Sequence, residues 1–360
     1  MTSRKIIYGF FLLFLVFLVS GCSLRFSSDQ DRDLGGVFLS EDQGREWRHA
    51  VAVPTVGDRR EHIGNIAVNK MTRDPNDPQA VYLASLERGL YYTYDISEGW
   101  RKAEGLPNAT IDAVRVDAQS KCIIYASSGN TVYKSTDCNR SWEPVYYDDE
   151  RRAKINDIVV DHYNPSNVFI GTSLGVVLKS EDRGESWSPV KKINDRISGL
   201  YLSPHDSRIM LVTTERRGTF RTRDGGFSWT NLEDNMEDFD DSRDVRDLFM
   251  PESDKGWIFL VTEYGLLKSE DFGDTWSEIE LLTPEDEAVI NSITMNPQDP
   301  DEIYYVTNNT FYRSLNGGES WSTQALPTSR PGQSLLINPE KPNIIYLGIG
   351  ASPDSSIFGR

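Results

Sequence analysis

Six aspartates and one asparagine recur along this 360-residue chain in the same company. Each stands two residues after a Ser or Thr, two before a Gly-like position and five before a Trp. The copies are Ser40-Asp42-Gly44-Trp47, Thr93-Asp95-Ser97-Trp100, Ser135-Asp137-Asn139-Trp142 and Ser180-Asp182-Gly184-Trp187, then Thr222-Asp224-Gly226-Trp229, Ser269-Asp271-Gly273-Trp276 and Ser314-Asn316-Gly318-Trp321. Carboxylates at fixed positions could ligate calcium or act as acid and base, since both chemistries use converging oxygens. They could also be turn architecture, because a short acidic side chain accepts backbone N–H bonds from the residues after it. The repetition favours the turn: a catalytic or metal centre is expected to break the symmetry of a repeat, and this pattern is the same in every copy. No His-Glu-x-x-His, Gly-x-Ser-x-Gly or P-loop accompanies it, and His49, His62, His162 and His205 have no ligand spacing. No catalytic residue, metal or cofactor is therefore assigned.

The elements that carry these boxes follow from their period. Boxes recur about every 46 residues, within the range of propeller blades. Between them lie turn-rich stretches, such as Asn164-Pro165-Ser166-Asn167, that run into β-rich segments. The unit around the fourth box reads as strands 155–160, 168–172 and 176–180, then a fourth near 188–190. Four short strands repeated seven times predict an all-β, seven-bladed propeller over residues 35–360. The first copy begins at its third strand (37–39), and segments 334–338 and 344–348 follow the last box. Together these pieces predict one composite blade that closes the ring without a covalent link.

Ser-x-Asp-x-Gly-x-x-Trp resembles the Asp-box, or BNR repeat, of sialidases, sortilin-like receptors, xyloglucan hydrolases and photosystem II assembly factors. The resemblance spans roughly residues 36–350. It implies that each box turns the third strand into the fourth and that each Trp packs between neighbouring sheets. The Gly-like position is expected to need positive φ, which Asn139 tolerates and Ser97 suits poorly. The sialidase elements are absent, and xyloglucan hydrolases use two propellers, about twice this length.

Arg4 and Lys5 precede an apolar run over 6–19 that ends Leu18-Val19-Ser20-Gly21-Cys22. This resembles a bacterial lipobox, which implies a signal peptide over 1–21, acylation of Cys22 and a polar tether over 22–34. The chain is then expected to be exported and held on a cell-envelope membrane. Cys122 and Cys138 remain, an even number, symmetric about residue 130 in the hairpin turn of one blade. They are expected to form a cross-strand disulfide, with two buried free thiols as the alternative.

The formal charge is −17, and loss of Arg4 and Lys5 with the signal leaves −19. A chain this acidic excludes general nucleic-acid binding. Arginine nevertheless gathers in loops expected on the face opposite the boxes: Arg59, Arg60, Arg88, Arg151, Arg152, Arg196, Arg216 and Arg217. That face is the expected binding surface for a protein partner, with the chain as a monomeric, non-catalytic scaffold. A glycan is the alternative ligand, with Tyr91, Tyr92 and Tyr264 as a stacking platform.

Overall fold

The computed structural model describes residues 33–54, 61–150, 152–283 and 289–353. Cys22, the expected signal peptide and the segment 354–360 lie outside the described residues. Seven four-stranded antiparallel sheets succeed one another, with a two-stranded ribbon (Ala52–Val53 with Glu61–His62) between the first two. The chain is a seven-bladed β-propeller.

The residues of each blade explain its order. The innermost strands are Val68–Asp74, Ala113–Asp117, Ile155–Val160, Ile197–Ser203, Val245–Phe249, Ile290–Asn296 and Gly332–Ile337. Second strands such as Val168–Thr172 and Ile345–Ile349 are buried along their whole length, because neighbouring blades cover both faces. A continuous short apolar run of this kind suits a strand with no solvent face. Outer strands are short and polar, as in Arg101–Lys102 and Thr230–Asn231.

Blade 1 is composite. Gly36–Ser40 from the start of the described chain pairs with Ile345–Ile349 near its end, with Phe38 opposite Leu347. Blades 2 to 7 follow in chain order. A buried polar cluster reinforces the seam between blades 7 and 1. Glu302 accepts from Gln43 Nε2 (2.9 Å), Asn296 Nδ2 (2.9 Å) and the Tyr304 hydroxyl (3.0 Å).

The boxes form tight turns at the ends of the third strands. In the fourth, the Ser180 hydroxyl donates to Asp182 Oδ1 (2.7 Å) and accepts the Gly184 N–H (2.7 Å). Asp182 Oδ1 then accepts the Ser186 N–H at 2.8 Å. Gly44, Gly184, Gly226, Gly273, Gly318 and Asn139 all take positive φ, between 69° and 103°. The second box departs from the expectation. Ser97 does not adopt positive φ; Gly99 does instead, at 87°. Asp95 Oδ1 accepts the Ser97 N–H (2.8 Å), and the buried Thr93 hydroxyl has no partner. The second box is thus a different turn: neither Ile96 nor Ser97 takes positive φ, whereas Gln43, Cys138, Arg183 and Phe272 do at the position matching Ile96.

Tryptophan indoles pack between blades, and those of Trp100, Trp187 and Trp321 bond to the neighbouring blade's backbone, whereas Trp229 bonds to Gly226 O of its own box. Trp100 is fully buried and donates to Ala50 O at 2.8 Å, and Trp321 donates to Glu280 O at 2.9 Å. Trp257 stands one residue ahead of its strand, with Lys268 Nζ 3.3 Å above its ring.

Cys122 and Cys138 are joined as a disulfide with Cα atoms 3.9 Å apart. The register differs from a hairpin centred on residue 130. Ser128 pairs with Thr131 and Ile124 with Ser135, so the turn is the two residues Gly129-Asn130. Cys138 lies past the last paired residue, inside the box, where its N–H still reaches Cys122 O at 3.3 Å.

Candidate functional site

Antiparallel connectivity puts the second-to-third-strand loops and the blade-to-blade segments on one face, opposite the boxes. In blades 4, 5 and 6 backbone bonds tie the hairpin tip to the segment feeding its own innermost strand: Ser173 N to Lys154 O (2.8 Å), Glu215 N to Arg196 O (3.0 Å) and Glu263 N to Asp244 O (3.0 Å). At the centre of this loop face the innermost strands surround a cavity of about 510 Å³. Exposed Arg196, Arg246 and Glu215 line it together with Asp112, and Lys70, Arg115, Tyr201 and Asp247 stand among its less exposed walls.

A repeated backbone irregularity brings these side chains together. The register skips one residue between Val68 and Lys70, and again between Ile155 and Asp157, Ile197 and Gly199, Val245 and Asp247, Ile290 and Ser292, and Gly332 and Ser334. A bulge bends a strand and re-aims a side chain. Here it aims an acceptor at the next blade. Asp157 Oδ2 takes the Leu200 N–H (3.1 Å) and Asp247 Oδ2 the Ile293 N–H (3.2 Å). Ser292 Oγ takes the Leu335 N–H (3.2 Å) and Ser334 Oγ the Met71 N–H (3.1 Å). One residue earlier, Asn69, Asn156 and Asn291 donate to Ile111 O, Ile197 O and Gly332 O at 2.9, 2.6 and 2.7 Å. At Gly199 no side chain fits, since a Cβ there would stand 2.6 Å from the Tyr201 ring. The Tyr201 hydroxyl accepts the Leu248 N–H in its place.

The channel is also bridged by charge. Arg115 Nη2 lies 3.0 Å from Asp157 Oδ1, and Lys70 Nζ lies 3.6 Å from Asp157 Oδ2. Burial pushes the Asp157 carboxyl up, but Arg115 and Lys70 outweigh it and hold the group below its ordinary range. Burial dominates at Asp247 and raises it, with Lys70 and two backbone N–H groups offsetting only part. Towards the box end, Arg73 of blade 2 reaches Glu252 after the innermost strand of blade 6 (3.0 Å). Asp157 and Asp247 thus spend oxygens on backbone N–H groups of their own strand and the next blade. They hold the ring, and Arg196, Arg246 and Glu215 stand exposed at the cavity. Arg246 has Glu263 at 3.9 Å.

The expected arginines are only partly brought together. Arg196 lines the cavity. Arg88, Arg152 and Arg217 are exposed in their loops, with the Arg88 and Arg217 N–H groups bound to Ser85 and Thr214 hydroxyls. Arg216 is engaged by Asp195, which accepts its N–H at 2.6 Å and has its guanidinium at 3.5 Å. Arg59, Arg60 and Arg151 lie outside the described residues. The ribbon flanking the first two runs against blade 2, where Ala52 O accepts the Trp100 N–H (2.8 Å). Tyr92 stacks beside Tyr82 (centroids 6.2 Å), and Tyr264 meets Phe239 edge-on (5.3 Å) and donates to Glu278. Both rings are engaged in blade packing. Lys70, Arg115 and Arg246 escaped the reading of loops because they sit on innermost strands. Superposing those strands by their bulge position would have brought out Lys70 at the bulge and Arg246 one residue before it. Among the described residues no three His, Cys, Asp or Glu side chains converge as metal ligands would.

Comparison with known proteins agrees with this architecture. The family model described as sortilin, neurotensin receptor 3, matches residues 130–263. The chain is 22% identical over 262 residues to xyloglucanase Xgh74A of Acetivibrio thermocellus, a match covering 60% of this chain and 30% of that enzyme. It is 30% identical over 92 residues to vacuolar protein sorting/targeting protein 10 of Fusarium vanettenii, covering 23% of this chain and 6% of that protein. The chain thus matches less than a third of the length of these curated relatives. Among solved structures it resembles the GH74 xyloglucanase of Xanthomonas campestris, with TM-score 0.64 and 17% identity over 79% of this chain and 51% of that one. It also resembles YCF48 bound to a D1 peptide, with TM-score 0.62 and 14% identity over 89% of this chain and 99% of that one. At these identities the structural likeness is one of fold.

Proposed function

We propose that this chain is a membrane-anchored propeller scaffold whose loop face binds a protein partner and assists assembly of an envelope complex. The observation that carries the reading is the division of labour at the channel. Its buried carboxylates are engaged in holding blades together, while Arg196, Arg246 and Glu215 stand exposed at its opening. Exposed charges of both signs around a polar cup suit a polypeptide segment, which offers carboxylates, ammonium groups and backbone dipoles together. The likeness to YCF48, solved with a peptide bound, supports the same reading. Acylation at Cys22 supplies the anchor.

A second reading, a glycan-directed propeller, is favoured by the likeness to xyloglucanases, of which this chain matches a part. A panel of fluorogenic glycosides and a glycan array, run beside crosslinking capture from the native membrane, separates the two. Capture of a defined protein without glycoside turnover is expected. Turnover of any glycoside would sink the scaffold reading.

A further inference from the structure

We infer that the loop face, with the channel mouth at its centre, looks towards the membrane, so that its partner is a segment of a protein embedded in the same bilayer. The inference rests on the anchored-scaffold reading and adds the orientation. It follows from how the chain enters the fold. The Asp33 carboxylate is gripped by both arms of Arg330, Oδ1 to Nε at 2.5 Å and Oδ2 to Nη2 at 3.0 Å. The next residue is clasped twice by one hydroxyl: Leu34 N donates to Thr328 Oγ1 (3.1 Å), which donates to Leu34 O (2.8 Å). Gly35 N then bonds Gly64 O, and Gly36 N bonds Ile66 O, both at 2.7 Å.

Every partner in this grip belongs to a blade-to-blade segment, and those segments form the loop face. Asp33 is therefore fixed on the side of the channel mouth. Eleven residue steps separate it from Cys22, at most about 36–40 Å of fully extended chain. A blade is about 20 Å tall at the usual rise per strand residue. Turning the box face to the bilayer would require the same length of chain to pass the rim and a whole blade, at least about half of its full reach. With the loop face towards the bilayer the distance to be spanned is short against that reach. Arg196, Arg246 and Glu215 then stand within reach of whatever rises a short way from the membrane.

The test uses the full acylated chain in lipid vesicles containing a headgroup-linked acceptor dye. A donor is placed through a non-natural amino acid either at Glu215 or at Phe227, an exposed box residue on the opposite face. Transfer from position 215 should be at least about twofold more efficient, given a blade height between the two sites. A flexible insert of about 30 residues after Asp29 should erase the difference. In native membranes, a photocrosslinker at 215 should capture an integral protein that resists carbonate extraction. Equal or reversed transfer in the vesicle-bound protein, or capture of soluble proteins only, overturns the inference and leaves the scaffold reading standing. A chain that mass spectrometry finds unacylated, and that washes off the vesicles, overturns both.

Discussion

The box carboxylates lie at the surface, yet they titrate as structural groups. The Ser141, Ser186 and Ser228 hydroxyls donate to Asp137, Asp182 and Asp224, backbone N–H groups add to them, and the three carboxyls are held down to about 2. A carboxyl whose folded value lies below its unfolded value stabilises the fold at higher pH. That contribution is lost as pH falls through the folded value. The melting temperature should therefore drop steeply between about pH 4 and pH 2. Changing these three residues together to Asn should leave the protein folded and flatten that drop, because Asn316 already makes the same turn with a neutral side chain. Superimposable melting curves from pH 5 to pH 2 would contradict the assignment. Arg115 tests the interior in the same way. Arg115→Met leaves a buried carboxylate with Lys70 alone and should cost about 3 kcal/mol in denaturant unfolding. Arg152→Met, at an exposed site, should change stability by no more than about 0.5 kcal/mol. Box residues were readable in the sequence because their spacing is fixed by one turn. Ser97 suits positive φ poorly and does not adopt it; what the spacing did not show is that this turn places positive φ at Gly99.

Strands of the blades were legible from turn residues and apolar runs, since each second strand is covered on both sides. The bulges of the innermost strands were not. Lys70, Asp157, Gly199, Asp247, Ser292 and Ser334 share a position but no chemistry, so no residue type marks it. What they share is a backbone that turns its extra residue towards the next blade. The hairpin of blade 3 shows the same limit. Counting symmetrically from residue 130 placed the cysteines opposite each other, whereas the actual pairing centres between Gly129 and Asn130 and the box supplies the remaining offset. A bridge there closes a hairpin of sequence separation 16, which on chain-entropy grounds contributes about 3 kcal/mol. Denatured, unreduced protein should resist alkylation at Cys122 and Cys138, and prior reductant should expose both. Labelling of both without reductant would show free thiols.

Seven blades in a ring leave one seam, and the chain closes it with strands from opposite ends of the described sequence. The period and the order of the pieces made that closure visible before any coordinate. The centre of the ring was hidden, because it is built from single side chains contributed by strands about 40 residues apart. The loop arginines lie on the loop face where they are described, yet among the described ones only Arg196 lines the channel, and Arg246 joins it from an innermost strand. That pair gives the most direct test of the scaffold account. Arg196→Glu with Arg246→Glu should lower melting only slightly, since Arg196 is exposed and Arg246 has one long ion pair with Glu263, and should weaken capture of the membrane partner about tenfold, as expected for reversal of two interfacial charges. Arg45→Glu with Arg140→Glu, on the box face, should capture it as the unaltered chain does. Undiminished capture by the Arg196 and Arg246 double variant would contradict the assignment of the channel mouth as the binding surface.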